Sequence, residues 1–234
     1  MNKPTPIIRV KNLRKEYVAG EDVVVALKDV SFDVMQGEIC CIFGTSGSGK
    51  STLLNQLAGL ENPTSGEVLI GNIPVSKLSE HDLAIFRQRY LGFIFQSYNL
   101  MQTMTALENT ALPLMFKGVN KKEREARAKD ILKTVGLSHR LNHYPNQMSG
   151  GQQQRVGIAR AFITKPKIVF ADEPTGNLDT KTTVEVMEMI KDFARKYDQT
   201  IILVTHEPDL AQYATRVITL ADGEIISDIK KERE

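Results

Sequence analysis

Three short stretches of this chain carry residue types and spacings that suit phosphate chemistry. Gly44-Thr45-Ser46-Gly47-Ser48-Gly49-Lys50-Ser51 fits the pattern G-x-x-x-x-G-K-[ST], the P-loop. Its glycines let backbone N–H groups curl round an anion that no side chain blocks. The start of the following helix adds a favourable dipole for phosphate. Lys50 supplies a point charge for β and γ phosphates, and the Ser51 hydroxyl suits Mg²⁺, which takes oxygen ligands and water. Ile168-Val169-Phe170-Ala171-Asp172-Glu173 is an apolar strand ending in acids, the Walker B pattern. Asp172 would hold Mg²⁺ directly or through water. Glu173 follows at once, where a carboxylate can polarise a water beside the γ-phosphate. Ser149-Gly150-Gly151-Gln152-Gln153-Gln154-Arg155 opens a further helix. Taken alone, it is either a serine N-cap with turn glycines or a second anion site at a helix N-terminus.

The elements that must position these stretches are legible from periodicity. Strands are expected at Ile7 to Leu13, Val23 to Leu27 and Val30 to Val34, the last alternating with period two. After a turn at Gln36-Gly37-Glu38, the continuous apolar run Ile39 to Phe43 predicts a strand buried on both faces. It leads into the P-loop and a helix from Thr52 to Leu60, and Thr64-Ser65-Gly66 turns into a strand at Glu67 to Gly71. Ser79 with Asp82 starts a helix to about Tyr90, followed by a strand at Leu91 to Phe95. Thr105 with Glu108 is a capping box whose helix is expected to be interrupted at Pro113. Lys121 to Val135 is amphipathic, with Ala128, Ile131, Leu132 and Val135 on one face and Gly136 ending it. Residues from about 97 to 160 are thus mostly helical. Beyond the strand at Ile168 to Ala171, Thr180 to Tyr197 predicts a helix with Val184, Met187, Ile190, Ala194 and Tyr197 on one side. A strand at Thr200 to Thr205, a helix at Pro208 to Ala214, a strand at Arg216 to Leu220 and an Asp222-Gly223 hairpin follow. Strands alternating with helices argue for an α/β fold with a mainly parallel sheet.

Composition excludes several classes. At roughly 150 residues per domain, 234 residues make one large domain or one with an insert. With 41% hydrophobic and 25% charged residues, the chain is not disordered. The uncharged stretch Phe93 to Leu107 is broken by Gln96, Ser97, Asn99, Gln102, Thr103 and Thr105, so no membrane span is expected. The opening MNKPTPIIRV lacks the apolar region of a signal peptide. Adjacent Cys40 and Cys41 suit neither a disulfide framework nor a zinc site and read as buried core in a reducing compartment. A net charge of +2 gives no reason to expect a nucleic-acid partner.

Taken together, the motifs resemble the nucleotide-binding subunit of ATP-binding-cassette transporters, over residues of about 7 to 228. The signature L-S-G-G-Q of that family is matched by Met148-Ser149-Gly150-Gly151-Gln152, with methionine for leucine at similar volume. Its Q-loop glutamine matches Gln96, and its D-loop matches Gly176-Asn177-Leu178-Asp179, where S-A-L-D is more usual. Its H-loop histidine matches His206, and its adenine-stacking aromatic matches Tyr17. Phe95 to Leu100, Leu107-Glu108-Asn109 and Pro174 to Asp179 resemble the macrolide-export, lipoprotein-release and antimicrobial-peptide efflux group. So do the extra residues between Tyr17 and Ala26.

The resemblance implies a single ATPase domain over residues 1–234. A parallel-sheet P-loop NTPase core and an antiparallel β subdomain would occupy about 7–96 and 161–228, with a helical subdomain inserted at about 97–160. It implies ATP and Mg²⁺ as cofactors. Tyr17 and Gly44 to Thr52 (including Thr45, Ser46, Gly47, Ser48 and Gly49) would hold the nucleotide, with Gln96, Ser149, Gly150, Gly151, Gln152 and Asp179. Ser51, Gln96 and Asp172 would hold the metal, and Glu173 and His206 would act in hydrolysis. The P-loop of one copy would meet the signature of another in an ATP-bound homodimer. A separate transmembrane permease is the implied partner, with a periplasmic or extracellular adaptor protein and no nucleic acid, at the cytoplasmic face of the cell membrane. A cassette ATPase acting on DNA or ribosomes would carry a long coiled-coil insert or two cassettes, and no sustained heptads occur here. A P-loop GTPase would need Asn-Lys-x-Asp, and the nearest string, Asn120-Lys121-Lys122-Glu123, lacks the aspartate.

Overall fold

A computed structural model describes residues 5–20 and 22–231, so the first four of the opening residues read above lie outside it. The chain forms two compact units, one of residues up to Arg87 together with Thr200 onward, the other Gln88–Gln199.

In the first unit, β1 (Ile8–Ala19) pairs antiparallel with β2 (Asp22–Val34) and with β4 (Ser65–Ile70), which pairs with β5 (Ile73–Pro74) in the order β2-β1-β4-β5. The alternation read from β2 sets its faces: Val30, Phe32 and Val34 are buried while Ser31 and Asp33 are exposed. Asn12 adopts a φ of 45° at a register shift in β1, and a Cβ on Gly66 would stand 2.2 Å from its carbonyl oxygen. Only glycine admits that approach. The parallel part is β3 (Ile39–Phe43) between β8 (Thr200–Thr205) and β9 (Arg216–Ala221), with β10 (Glu224–Lys230) antiparallel to β9. Asp222 and Gly223 both have positive φ, as a two-residue hairpin turn requires. Cys40 and Cys41 are fully buried, and burial pushes both thiols up to about 12, which makes them inert core residues. The helices here are α1 (Lys50–Leu57), which starts earlier than the apolar pattern suggests, α2 (Glu80–Tyr90), which ends in the second unit, and the short α7 (Pro208–Ala211). The buried Arg216 donates to both oxygens of Asp228, at 2.7 and 2.6 Å, and to the Asp33 carbonyl, tying β2, β9 and β10 together. Sequence reading took it for an ordinary strand residue.

In the second unit, β6 (Leu91–Phe95) lies parallel to β7 (Ile168–Asp172), with Phe95 opposite Asp172. Between them run α3 (Ala106–Phe116), α4 (Lys121–Thr134) and α5 (Gly150–Phe162), and α6 (Thr180–Tyr197) follows β7. The capping box of Thr105 and Glu108 is formed, but α3 continues through Pro113. Proline removes one helix donor, and burial of Ala111 and Leu114 on either side, against Ala128 and Ile163, keeps the helix intact. On α6 the buried stripe is Val186, Met187, Ile190, Phe193 and Ala194, while Val184 is 48% exposed. Met187, Ile190 and Ala194 lie on the expected buried face, which extends to Phe193, whose ring stacks between Phe162 and Tyr197.

Candidate functional site

The first unit holds one group of the expected residues. Phe43 ends β3, and the chain turns at once through Gly44 to Gly49 into α1. A Cβ on Gly44 would lie 2.3 Å from the Leu220 carbonyl oxygen, and one on Gly49 would lie 2.6 Å from that of Ala26. Gly49 also has a φ of 101°, so the turn is closed to other residues. No side chain caps α1 at Gly49, which leaves its first amides directed at whatever the loop encloses. Lys50 is buried, and its ammonium donates to the carbonyls of Gly44 at 2.8 Å and Thr45 at 2.7 Å. The lysine thus folds over its own loop with one proton left for an anion. Ser48 is buried and its Oγ has no hydrogen-bond partner among the described residues, whereas Thr45, Ser46, Gly47 and Ser51 are exposed along the rim.

Two further residues of that group lie in the same unit. β8 pairs with β3 so that Thr205 faces Phe43, which sets the exposed His206 at the strand edge where the P-loop begins. Tyr17, 38% exposed on β1, donates from its hydroxyl to Glu61 at 2.6 Å, and the Lys15 ammonium lies 5.0 Å from its ring centroid. Partial burial, then the bond to Glu61, raises the phenol above its ordinary range. Glu61 and Lys15 were not read from the sequence. They differ from surface charges elsewhere only in this contact, which no spacing rule reveals.

The second unit holds the other group. Asp172 and Glu173 stand at the end of β7, beside the end of β6 where Gln96 follows Phe95. Glu173 has a φ of 41°, a turn conformation closed by the bond from the Gly176 amide to its carbonyl at 3.1 Å. Asn177 donates to the Gln96 carbonyl at 3.0 Å, and a Cβ on Gly176 would lie 2.7 Å from the Gln96 amide nitrogen. The Q-loop and the segment after the acids are therefore in contact. Ser149 caps α5 in a reciprocal box with Gln152, so the N-cap reading of that stretch holds. Cβ atoms on Gly150 and Gly151 would stand 2.7 Å from the Tyr98 hydroxyl and from Thr182 Cγ2 respectively. Asp179 caps α6, accepting from the Thr182 amide at 3.0 Å and its hydroxyl at 2.6 Å, and these bonds hold its carboxyl below the usual range. Gly151 and Asp179 thus meet the same Thr182.

Arg160 and Gln154 also serve this group and were missed. Arg160 donates to the carbonyls of Asn99 at 2.5 Å and Tyr98 at 2.8 Å, two residues with φ of 47° and 60°. A signal existed in the sequence: Gln154, Gly157 and Arg160 recur at a spacing of three along one helix.

Comparison with known proteins shows the family. The family model described as ABC transporter matches residues 27–176. The chain belongs to the ABC transporter family. An uncharacterized ABC transporter ATP-binding protein of Methanocaldococcus jannaschii is 52% identical over 96% of this chain and 100% of its own length. The lipoprotein-releasing system ATP-binding protein LolD of Geobacter metallireducens is 45% identical over 95% of this chain and 99% of its own. The dimeric structure of a post-hydrolysis state of the ATP-binding cassette MJ0796, bound to ADP and Pi, superposes with a TM-score of 0.90 at 43% identity. It covers 97% of this chain and 100% of that one. The ABC transporter subunit described here has the ABC ATPase cassette fold and is an ATP-binding, ATP-hydrolysing subunit. No helix among its described residues is long and apolar enough to cross a membrane.

Proposed function

We propose that two copies of this chain close head to tail around two ATP molecules, and that closure and hydrolysis drive a separate membrane permease. The observation that carries the reading is the presence in one chain of an uncapped P-loop helix and of the signature Met148 to Gln152 at the start of α5. Likeness over nearly the full length to a cassette that is dimeric supports it. Gly44 to Thr52 bind the phosphates and Tyr17 the adenine. Ser149 to Gln152 and Asp179 complete the partner copy's γ-phosphate cradle. Ser51, Gln96 and Asp172 offer a hydroxyl, an amide oxygen and a carboxylate, a hard-oxygen set that fits Mg²⁺. When bound, the ion supplies neutralising charge to the β and γ phosphates. Glu173 orients and polarises the water, and His206 contacts the γ-phosphate and steadies Glu173. The nucleotide core comprises about 7–96 and 161–228, and the helical subdomain about 97–160.

The Gly151→Asp variant tests the shared cradle. Its carboxylate would stand where the partner's anion must come, and ATP binding to one copy does not need this residue. Hydrolysis is expected to fall by at least about 10²-fold with ATP affinity unchanged. Normal hydrolysis would sink the two-copy site.

The permease would dock on the second unit. Of the apolar residues near the Q-loop, Leu114 is core, whereas Met101, Met115 and Phe116 are 49%, 40% and 65% exposed. The Asn109 side chain holds the loop that presents Met101, accepting from its amide at 2.8 Å and donating to its carbonyl at 3.0 Å. Methionines suit a surface that must accommodate a partner helix. Aspartate at Met101, Met115 or Phe116 is expected to abolish co-purification with the permease and transport while ATP binding persists. Undiminished complex and transport in all three variants would exclude this surface. The relation to the lipoprotein-releasing protein supports lipoproteins as a cargo; efflux of peptides or macrolide-like compounds, work at the cytoplasmic face of the membrane and an adaptor protein beyond it are proposed from the sequence resemblance alone.

A further inference from the structure

Gln154 on α5 has no exposed surface. Its amide nitrogen donates to two backbone carbonyls, those of Phe95, at 3.4 Å, and of Pro174. Phe95 directly precedes Gln96, and Pro174 directly follows Glu173. One side chain therefore holds the backbone beside both residues, from the helix that begins at the signature. The segments it holds have local bonds of their own, from Gly176 to the Glu173 carbonyl at 3.1 Å and from Tyr98 to the Phe95 carbonyl at 3.2 Å, but their backbone is strained. Glu173, Tyr98 and Asn99 have φ of 41°, 60° and 47°, conformations that side-chain-bearing residues keep only when the surroundings impose them. The next residue on the stripe is Gly157, where a Cβ would lie 3.5 Å from Gln154 Oε1 and 3.8 Å from the Tyr98 carbonyl oxygen. Arg160 then ties Tyr98 and Asn99.

The chemistry of the contact selects an amide. Both acceptors are carbonyls, so the group facing them must donate twice. A carboxylate would set negative charge against two oxygens, and methionine would fill the volume with no donor. Gln154 Oε1 is buried without a hydrogen-bond partner among the described residues.

We infer that Gln154 is a positioning residue for hydrolysis: its amide fixes the Gln96 and Glu173 segments relative to the signature helix. The inference rests on the roles proposed above for Gln96 and Glu173. The two carbonyls that Gln154 holds lie in its own unit, the one that does not carry the P-loop.

The test is steady-state ATP hydrolysis by the full chain carrying Gln154→Glu or Gln154→Met, with kcat expressed per folded chain from thermal melting. For both variants kcat is expected to fall by about 10²-fold near pH 8.5, the scale of a misplaced reacting group, with KM for ATP little changed. Burial raises the pKa of the introduced carboxyl, and once protonated it regains one O–H donor. The ratio of Gln154→Glu to wild-type kcat should therefore rise by about tenfold between about pH 8.5 and about pH 6. That of Gln154→Met should stay flat. Wild-type kcat in both variants, a defect confined to KM, a pH-independent defect in Gln154→Glu, or a loss accounted for by unfolded chain would each overturn the inference. Glu173→Gln is assayed alongside. Normal turnover there removes the underlying site reading, whereas its inactivity beside normal Gln154 variants removes this inference alone.

Discussion

Glu173→Gln should hydrolyse ATP about 10² to 10⁴ times more slowly than the wild type and still bind it. The substitution keeps the shape and hydrogen-bonding reach of the side chain and removes its basicity. Phosphoryl transfer to water depends chiefly on positioning and on electrostatic stabilisation of the phosphates. Those contributions, assigned here to the P-loop, Mg²⁺ and the signature, are untouched by the change. The backbone around Glu173 is set by the bond from Gly176 and by the grip of Gln154 on Pro174, neither of which involves the carboxylate. The loss is therefore expected in kcat. Phosphate release under saturating ATP measures it, and near-normal turnover would remove Glu173 from the role of base.

Lys50→Ala should abolish measurable ATP binding. Lys50 does two things: it brings a buried positive charge to the loop, and it ties the loop by donating to Gly44 and Thr45. The alanine variant loses both, leaving two carbonyls without their donor beside the place the phosphates enter. Truncating one member of a buried, hydrogen-bonded charge pair costs about 2 to 5 kcal/mol, which removes the heat signal in a titration that is strong for the wild type. Because Lys50 also shapes the loop, its thermal melting should be recorded with the titration. Unchanged affinity would show that Gly44 to Ser51 is not the nucleotide loop.

Most of the fold was legible because its signals are local. The apolar run of β3 between two turns, the Ser149 and Thr105 capping boxes and the Asp222-Gly223 turn each depend on neighbours in sequence. Pro113 misled because what keeps α3 intact is burial of Ala111 and Leu114 against Ala128 and Ile163, contacts made from afar. Val184 misled because apolar period marks a face but not how far along the helix that face is covered: Met187, Ile190 and Ala194 are buried and Val184 is not. In the same way, the motifs named which residues could do chemistry but not what holds them. The hydroxyl of Tyr17 on Glu61, the approach of Thr182 to Gly151, and the amide of Gln154 between Phe95 and Pro174 are contacts distant in sequence. Each becomes visible only when the chain is folded.

The central claim is that ATP is hydrolysed between two copies of this chain. Size-exclusion chromatography with light scattering on Glu173→Gln, with and without ATP and Mg²⁺, tests it most directly. Slow turnover should trap the closed state, and loss of a carboxylate from each copy should favour closure. The account predicts a monomer without nucleotide and a dimer with ATP. A monomer in both conditions, with ATP shown to be bound, would contradict it.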